Sequence, residues 1–271
     1  MSEVFTFRAG SVPLLISMPH VGTQIAPEVQ QQLLPEATVL ADTDWHLPAL
    51  YNMAEKLGAS LLVAQQSRYV IDLNRAPDNA NLYPGQDTTG LCPVDTFHKQ
   101  ALYAEGKQPD AREIQRRIDT YWQPYHQQLQ NELQRLKQLF GTVVLWDAHS
   151  IASVVPRFFE GKLPDLNFGT ADGKSCDAGL SAALAGVLQT SAHAQAYSHV
   201  FNGRFKGGYI TRQYGQPQQD IHAVQLEMAQ CVYMNESAPF AYLPDNAAQV
   251  QPLLQELLQA CVNWAQAQQK G

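Results

Sequence analysis

The segment Val12-Pro13-Leu14-Leu15-Ile16-Ser17-Met18 is followed directly by Pro19 and His20. A short apolar run of this kind, ended by a proline, predicts a buried β-strand. His20 is therefore expected at the carboxyl end of that strand. Similar apolar runs recur along the chain and predict further strands at Ser60–Ala64, Tyr69–Leu73, Val143–Trp146, Tyr197–Phe201, Tyr209–Arg212 and His222–Met228.

Helical patterns lie between these strands. Apolar residues recur at helical spacing over 47–57, after the potential N-caps Asp42 and Thr43, and Gly58 predicts the end of that helix. Further helices, the first of them bent or restarted at Pro124, are predicted at Asp110–Phe140, Cys176–Leu188 and Ala247–Gln268. The alternation predicts a single α/β domain over residues 1–271, with a largely parallel sheet covered on both faces.

Composition limits the classes of function. The chain has 271 residues and a net charge of −7 at pH 7, which argues against a nucleic-acid surface because such surfaces need clustered lysine and arginine. Its four cysteines form no CxxC pair, so neither a disulfide framework nor a thiolate metal cluster is expected. We find no signal peptide and no apolar stretch near the ~20 residues that span a bilayer. We therefore expect no membrane partner and a location in the cytoplasm.

A long segment at residues 77–109 is rich in proline, glycine, aspartate and asparagine. A loop of this length inside a compact domain is more often a functional cover than a linker. We therefore expect residues 77–109 to lie over the functional site.

Two histidines and one carboxylate lie where ligands of an α/β sheet are usually bound. His20 follows the first strand, and His149 follows the strand Val143–Trp146. Asp44 is predicted in the first turn of the helix that follows His20. Because ligands bind beyond the carboxyl ends of strands, the three side chains are able to converge. Two imidazoles and a carboxylate, with one position left for water, suit a catalytic divalent ion such as Zn²⁺. The alternative is that the histidines only satisfy backbone groups.

A carboxylate also lies within the predicted strand His222–Met228. The strand alternates with period two, which places its apolar residues on one face and Gln225 and Glu227 on the other. If that face is buried, the carboxylate needs a partner. Glu227 is then suited to take a proton from a metal-bound water and pass it to a leaving nitrogen. The alternative is a solvent-exposed strand face.

Arginines indicate the charge of the substrate. Arg68 and Arg75 flank one predicted strand, and Asn74 adjoins Arg75. Arg204 and Arg212 flank a glycine-rich stretch. Because a guanidinium pairs bidentately with a carboxylate, these residues predict a small substrate with more than one carboxylate. For any one arginine alone, ordinary surface charge is the alternative.

Several familiar motifs are absent from the sequence. There is no GxSxG elbow, which disfavours a serine enzyme of the α/β-hydrolase type. There is also neither a GxGxxG nor a GxxxxGK[ST] phosphate-binding loop. No cysteine lies in a local context that marks a nucleophile.

At these residues the sequence resembles the N-formylglutamate amidohydrolase family, nearly end to end. The matching stretches are Ser17–Gly22 (SMPHVG), Asp42–His46 (DTDWH), Ser67–Arg75 (SRYVIDLNR), Asn81–Gly85 (NLYPG), Trp146–Ser150 (WDAHS), Gly207–Arg212 (GGYITR) and His222–Glu227 (HAVQLE). The family is similar in fold to the zinc carboxypeptidases, which implies a central mixed sheet of about eight strands between helical layers. The stretch Thr88–Pro93 (TTGLCP) resembles the branch that acts in histidine degradation, which converts N-formyl-L-glutamate to formate and L-glutamate.

The resemblance implies roles for individual residues. His20 and His149 match the two metal-binding histidines, and Glu227 matches the catalytic glutamate. The Asn74-Arg75 pair matches the residues that grip the substrate carboxylate. Arg75, or else Arg68, is also expected to act in catalysis by stabilising the oxyanion.

The third metal ligand departs from the carboxypeptidase pattern. Those enzymes have a glutamate three residues after the first histidine, where this chain has Thr23. The carboxylate ligand is therefore assigned to Asp44, with Asp42 as the weaker candidate. Asp147 is expected to orient a ligand histidine.

Two other functions remain open at this point. One is the same hydrolysis on another N-acyl-amino acid or on a peptide, which depends on an acyl pocket that the sequence does not describe. The other is a non-catalytic carboxylate-binding protein on the same scaffold. The identity of the metal ion is also open, because Mn²⁺, Fe²⁺ and Co²⁺ bind to the same kinds of ligand as Zn²⁺.

Overall fold

The computed structural model of the chain describes residues 3–81, 85 and 87–268. The predicted domain 1–271 and the motif Asn81–Gly85 thus lie partly outside the described residues. The described part forms a seven-stranded sheet, with strands β1 to β7 at Phe5–Arg8, Leu14–Met18, Ser60–Ala64, Val143–Ile151, Leu166–Gly169, His199–Phe201 and Ile221–Ala229.

The sheet is mixed and mostly parallel. Its strand order is β1-β3-β2-β4-β7-β5-β6. The pairs β3–β2, β2–β4, β4–β7 and β5–β6 are parallel, whereas β1–β3 and β7–β5 are antiparallel. The predicted α/β class is confirmed, with seven strands in the described part of the chain where about eight were expected. Because β2, β4 and β7 are parallel neighbours, their carboxyl ends lie side by side.

Helices lie on both faces of this sheet. The helices α1 to α8 span Pro27–Gln30, Leu47–Leu50, Met53–Leu57, Ala111–Arg117, Gln123–Phe140, Ala178–Thr190, Tyr209–Tyr214 and Pro244–Gln268. A π-helical turn at Ile118–Trp122 joins α4 to α5. The predicted restart of this long helix is confirmed, because Pro124 lacks the N–H that would continue the ladder from the preceding turn. In the described residues, no helix has the length and apolar character needed to cross a bilayer.

Two predicted strands are wrong. Tyr69–Leu73 forms turns and irregular chain without strand pairing, and Asp72 N donates to Leu91 O at 2.7 Å. Its apolar side chains are buried, but turns that pack against a helical layer bury them without strand pairing. Tyr209–Arg212 belongs to helix α7, because the Asn74 side chain accepts a hydrogen bond from the first turn of that helix. Tertiary contacts thus override the β-propensity of both segments.

The first predicted helix is also different from the expectation. It begins only at Leu47 and is broken into α2 and α3, although Gly58, with φ of +81°, ends it as predicted. Asp42 and Thr43 are consequently not its N-caps. Asp44 lies in a buried irregular segment before the helix and not in its first turn, which leaves its carboxylate available to the site.

Other strand boundaries change as well. Strands β1 and β5 were not predicted, and β4 continues five residues past Trp146 to Ile151. The added residues include Asp147 and His149, which are buried between β2 and β7 although they are polar. His149 therefore lies inside β4 and not after it.

Two apolar cores hold the layers together. Alternate residues of β4 enter opposite cores: Val144 and Trp146 pack with α6 and α8, whereas Val143 and Leu145 pack with α5. Full burial of each large apolar side chain contributes about 1.5–3 kcal/mol. The polar residues at the carboxyl ends of the central strands thus belong to strands that are packed firmly between two apolar cores.

Candidate metal and hydrolytic site

An open cavity of about 630 Å³ lies at the carboxyl ends of β2, β4 and β7, and we call it the site cavity. Most of the predicted site residues line it, namely His20, Arg68, Asn74, Arg75, His149, Arg204 and Glu227. Arg212 is not among the described residues that line the cavity, and its Nε donates to Gly207 O at 2.8 Å. The fold therefore brings most of the sequence-predicted chemistry to one place.

The two histidines point the same ring nitrogen at one carboxylate. Nδ1 of His149 lies 3.2 Å from Oδ2 of Asp44, and Nδ1 of His20 lies 3.8 Å from the same oxygen. One ligand atom from each of the three residues lies within 4.8 Å of the others, and all three residues are buried. The carboxylate of Asp42 accepts a hydrogen bond from Phe97 N instead.

A second carboxylate lies behind each histidine. Nε2 of His20 is 2.7 Å from Oδ1 of Asp72, and Nε2 of His149 is 3.2 Å from Oδ1 of Asp147. A ligand histidine commonly has such a partner on its far nitrogen, where it fixes the ring orientation. Asp147 was expected in this role from the sequence, whereas Asp72 was not singled out.

These donors fit a divalent metal ion. With metal–ligand distances of about 2.0–2.2 Å, the donors around one tetrahedral ion lie roughly 3–4 Å apart, as the nitrogens and Oδ2 of Asp44 do. The other oxygen of Asp44, Oδ1, is buried without a hydrogen bond. The donor set of two imidazoles and one carboxylate also suits Zn²⁺.

The electrostatics of the cluster favour a cation. Burial by itself would raise the pKa of Asp72, but the adjacent His20 and Arg68 hold that pKa well below its ordinary value. Burial by itself would lower the pKa of His149, but the neighbouring carboxylates, Asp147 first among them, raise it well above its ordinary value. A proton on His149 thus balances negative charge that a metal ion would balance in its place.

His20 behaves differently from His149. Burial and, after it, the positive charge of Arg68 lower the pKa of His20. Its ring is therefore neutral at pH 7, which is the state that a metal ligand requires.

Glu227 is buried at the edge of the site cavity. It pairs in register with His149 across the parallel strands β7 and β4. Burial raises the pKa of Glu227 to about 8, and the charge of His149 only partly opposes this rise. A carboxyl group that exchanges its proton near neutral pH suits general acid–base catalysis. The alternative of an exposed strand face is excluded, because Glu227 is only 8% exposed.

The three arginines of the site cavity differ in their partners. The guanidinium of Arg68 lies 2.8 Å from Asp72 Oδ2 and 3.5 Å from Asp44 Oδ1, so it already balances the site carboxylates. Arg75 is 4.0 Å from Asp72 Oδ2 and is more exposed. Arg204 donates to Phe158 O. Arg75 and Arg204 are thus better placed than Arg68 to bind an added carboxylate.

Asn74 is fixed by its surroundings. Its Oδ1 accepts a hydrogen bond from Ile210 N at 2.8 Å, and its Nδ2 lies 3.1 Å from His149 Nε2. An added Cβ at Gly208 would overlap the Asn74 amide, so only glycine permits this close approach. The glycine-rich stretch near Arg204 therefore has a packing role beside the site.

Sequence reasoning did not identify several cavity residues. Gln225 lies on the same strand face as Glu227, and the period-two pattern was sufficient to find it. Thr89 and Phe97 reach the site cavity from the segment 77–109, and no local pattern marks them. The hydroxyl of Thr89 is buried and has no hydrogen-bond partner, so a bound ligand is its natural partner.

Comparison with known proteins gives a consistent result. The model of the N-formylglutamate amidohydrolase family matches residues 12–234. An N-formylglutamate deformylase from Pseudomonas aeruginosa is 54% identical over 264 residues, covering 97% of this chain and 98% of the relative. An N-formylglutamate deformylase from Pseudomonas putida is 52% identical, with 97% of each chain covered. The crystal structure of an N-formylglutamate amidohydrolase from Ralstonia eutropha JMP134 has the same fold, with a TM-score of 0.79 and 24% identity over 97% of each chain.

Proposed function

Because the chain belongs to the N-formylglutamate amidohydrolase family, we propose that it hydrolyses N-formyl-L-glutamate to formate and L-glutamate with the help of one divalent metal ion. One observation carries this proposal. Both histidines of a three-residue metal cluster, a buried glutamate and two arginines line a single cavity. Together these three features suit the deformylation of a dicarboxylic substrate.

His20, Asp44 and His149 would hold the metal ion, and Zn²⁺ is the ion that their donor atoms favour. When bound, such an ion polarises a carbonyl group and lowers the pKa of a coordinated water toward 7. Asp72 holds the His20 ring through a hydrogen bond at Nε2, whereas Oδ1 of Asp147 lies 3.2 Å from Nε2 of His149 without a hydrogen bond. The ligand nitrogen of His20 therefore keeps its direction during turnover.

Glu227 moves the proton in this proposal. Its carboxylate accepts a proton from the attacking water, whose oxygen forms a bond to the formyl carbon. The C–N bond then breaks, and Glu227 delivers the same proton to the leaving nitrogen of glutamate. A pKa of about 8 leaves Glu227 able both to accept and to release a proton near neutral pH.

The arginines bind the glutamyl part. Arg75 and Arg204 would pair with the two carboxylates of the substrate, and Thr89 offers its unpaired hydroxyl. Arg75 would also help to stabilise the oxyanion, because it lines the same cavity as His20 and His149. Arg68 supports the site indirectly by balancing Asp44 and Asp72, and a direct substrate contact of Arg212 remains a prediction.

We place this reaction at the last step of histidine degradation. The support is the resemblance of the stretch Thr88–Pro93 to that branch of the family. Location in the cytoplasm stays a prediction of the sequence.

Formate release from N-formyl-L-glutamate tests the proposal, with N-formyl-L-aspartate and N-acetyl-L-glutamate assayed beside it. We expect release from N-formyl-L-glutamate alone. Activity on only one of the other two compounds would keep the hydrolytic site and overturn the substrate. No turnover of any of them by metal-loaded protein would overturn the enzymatic function and favour a binding role.

A further inference from the structure

We propose that Gln225 is a positioning residue that fixes Glu227 so that a single oxygen, Oε1, accepts and releases the catalytic proton. The inference rests on the proposed function, because it assigns a direction to the proton transfer of Glu227.

The two side chains lie together on one face of β7. Gln225 and Glu227 are two residues apart, are 4% and 8% exposed, and both line the site cavity. Nε2 of Gln225 donates to Oε2 of Glu227 at 3.1 Å. One of the two carboxyl oxygens is therefore occupied before any substrate binds.

The orientation of the Gln225 amide is fixed by its other partner. Gly208 N donates to Oε1 of Gln225 at 2.7 Å, and a backbone N–H can only donate. The amide oxygen must therefore face Gly208, and the NH₂ group must face Glu227. A reversed amide would bring two donors together at Gly208 and would lose that hydrogen bond.

This orientation decides where the proton of Glu227 is carried. An NH₂ group has no acceptor, so Oε2 of Glu227 must accept a hydrogen bond in both protonation states. A protonated Oε2 could still accept this hydrogen bond through a lone pair, but an unprotonated carboxyl oxygen is the better acceptor for it. The hydrogen bond therefore favours the proton on Oε1, the oxygen to which Gln225 does not donate.

The Gly208 anchor is itself rigid. Gly207 has a φ of +111°, and the Asn74 amide packs so closely on Gly208 that a side chain there would overlap it. Gly169, the neighbour of Gln225 across β5 and β7, packs on Gly207 in the same close manner. Gln225 thus connects the catalytic carboxyl group to a turn that has little freedom to move.

Loss of this connection would affect the rate and not the binding of substrate. A correctly placed general acid–base group contributes about 10²–10⁴ to the rate. In Gln225→Met, which keeps the length of the side chain, Glu227 is free to rotate and either oxygen is free to carry the proton. We expect kcat to fall at least roughly tenfold, as part of that contribution.

The experiment measures kcat, KM, zinc content and thermal unfolding for Gln225→Met and for the shorter Gln225→Asn. The matched control is Gln66→Met, which removes a buried amide that does not line the site cavity. We expect both Gln225 variants to lose kcat with KM within about threefold and zinc unchanged, and the control to keep kcat. If Gln225→Met does not fold, the same measurements on Gln225→Asn test the inference.

A double-mutant cycle separates positioning from a general structural effect. If Gln225 acts through Glu227, Gln225→Met changes kcat less than about twofold in a Glu227→Gln background. An equal loss in that background would overturn the inference, as would a normal kcat in Gln225→Met or a raised KM with unchanged kcat. Failure of the proposed function would give a different result. In that case the wild-type protein would show no turnover, or Glu227→Gln would show normal turnover.

Discussion

Replacing Asp44 by asparagine tests the metal site most selectively. Asp44 Oδ2 lies between Nδ1 of His20 and Nδ1 of His149, and the same oxygen accepts a hydrogen bond from Ser150 N at 3.1 Å. In the variant, the amide oxygen would remain with Ser150 N or turn toward the histidines. Either choice removes the anionic ligand, because an amide carries no charge.

The size of the effect follows from this geometry. Substitution of a residue that only supports a metal ligand costs about 10–100-fold in affinity, so loss of a charged ligand is expected to exceed about 100-fold. That corresponds to at least about 2.7 kcal/mol of binding free energy. Zinc affinity is measured by competition with a chromophoric chelator, and thermal unfolding verifies that the variant is folded.

Asp42→Asn is the matched control. Asp42 is also buried and lies two residues away, but its carboxylate binds Phe97 N and contacts neither histidine. We expect its zinc affinity to stay within about threefold of the wild type, since no ligand is changed. Normal zinc affinity in Asp44→Asn would refute the reasoning, and a larger loss in Asp42→Asn would make Asp42 the ligand.

Three further predictions concern the catalytic and binding residues. Glu227→Gln is expected to keep its zinc and to lose about 10²–10⁴ in kcat, and near-normal turnover would remove the proton-transfer role. Arg204→Ala is expected to raise KM roughly 10–100-fold through loss of a charge-assisted pair, with partial recovery in Arg204→Lys; an unchanged KM would place the substrate carboxylates elsewhere. In metal-free protein, the pKa of Glu227 is raised to about 8, so the folded state holds a proton that the unfolded state loses above its ordinary pKa of 4.5. The associated stability is present below pH 4.5 and is lost as the pH rises to 8. Between pH 6 and 9, the wild type is therefore expected to lose on the order of 2 kcal/mol of unfolding free energy relative to Glu227→Gln, and parallel pH curves for the two proteins would contradict this.

The sequence predicted the positions of those site residues that lie at or near the ends of the central strands. His20 and Glu227 were placed correctly because apolar runs mark the central strands, and parallel strands present their carboxyl ends at one edge. His149 was also found, although β4 continues past it. A strand buried on both faces tolerates Asp147 and His149 only because these residues pair with other site residues, and a single sequence does not show such pairing.

Local sequence patterns did not predict the conformation of other parts of the molecule. Tyr69–Leu73 and Tyr209–Arg212 have strand-like composition, but their conformations depend on contacts with distant residues such as Leu91 and Asn74. Thr89 reaches the site cavity from a long loop that has no periodicity. Propensity describes what a segment prefers alone, and these segments are determined by what packs against them.

The most direct test of the central claim is formate release from N-formyl-L-glutamate before chelation, after chelation and after return of Zn²⁺. The site predicts turnover that disappears with the metal and returns with it, because His20, Asp44 and His149 provide no substitute for the ion. Full turnover in chelated protein shown to contain no metal would contradict a metal-dependent deformylase.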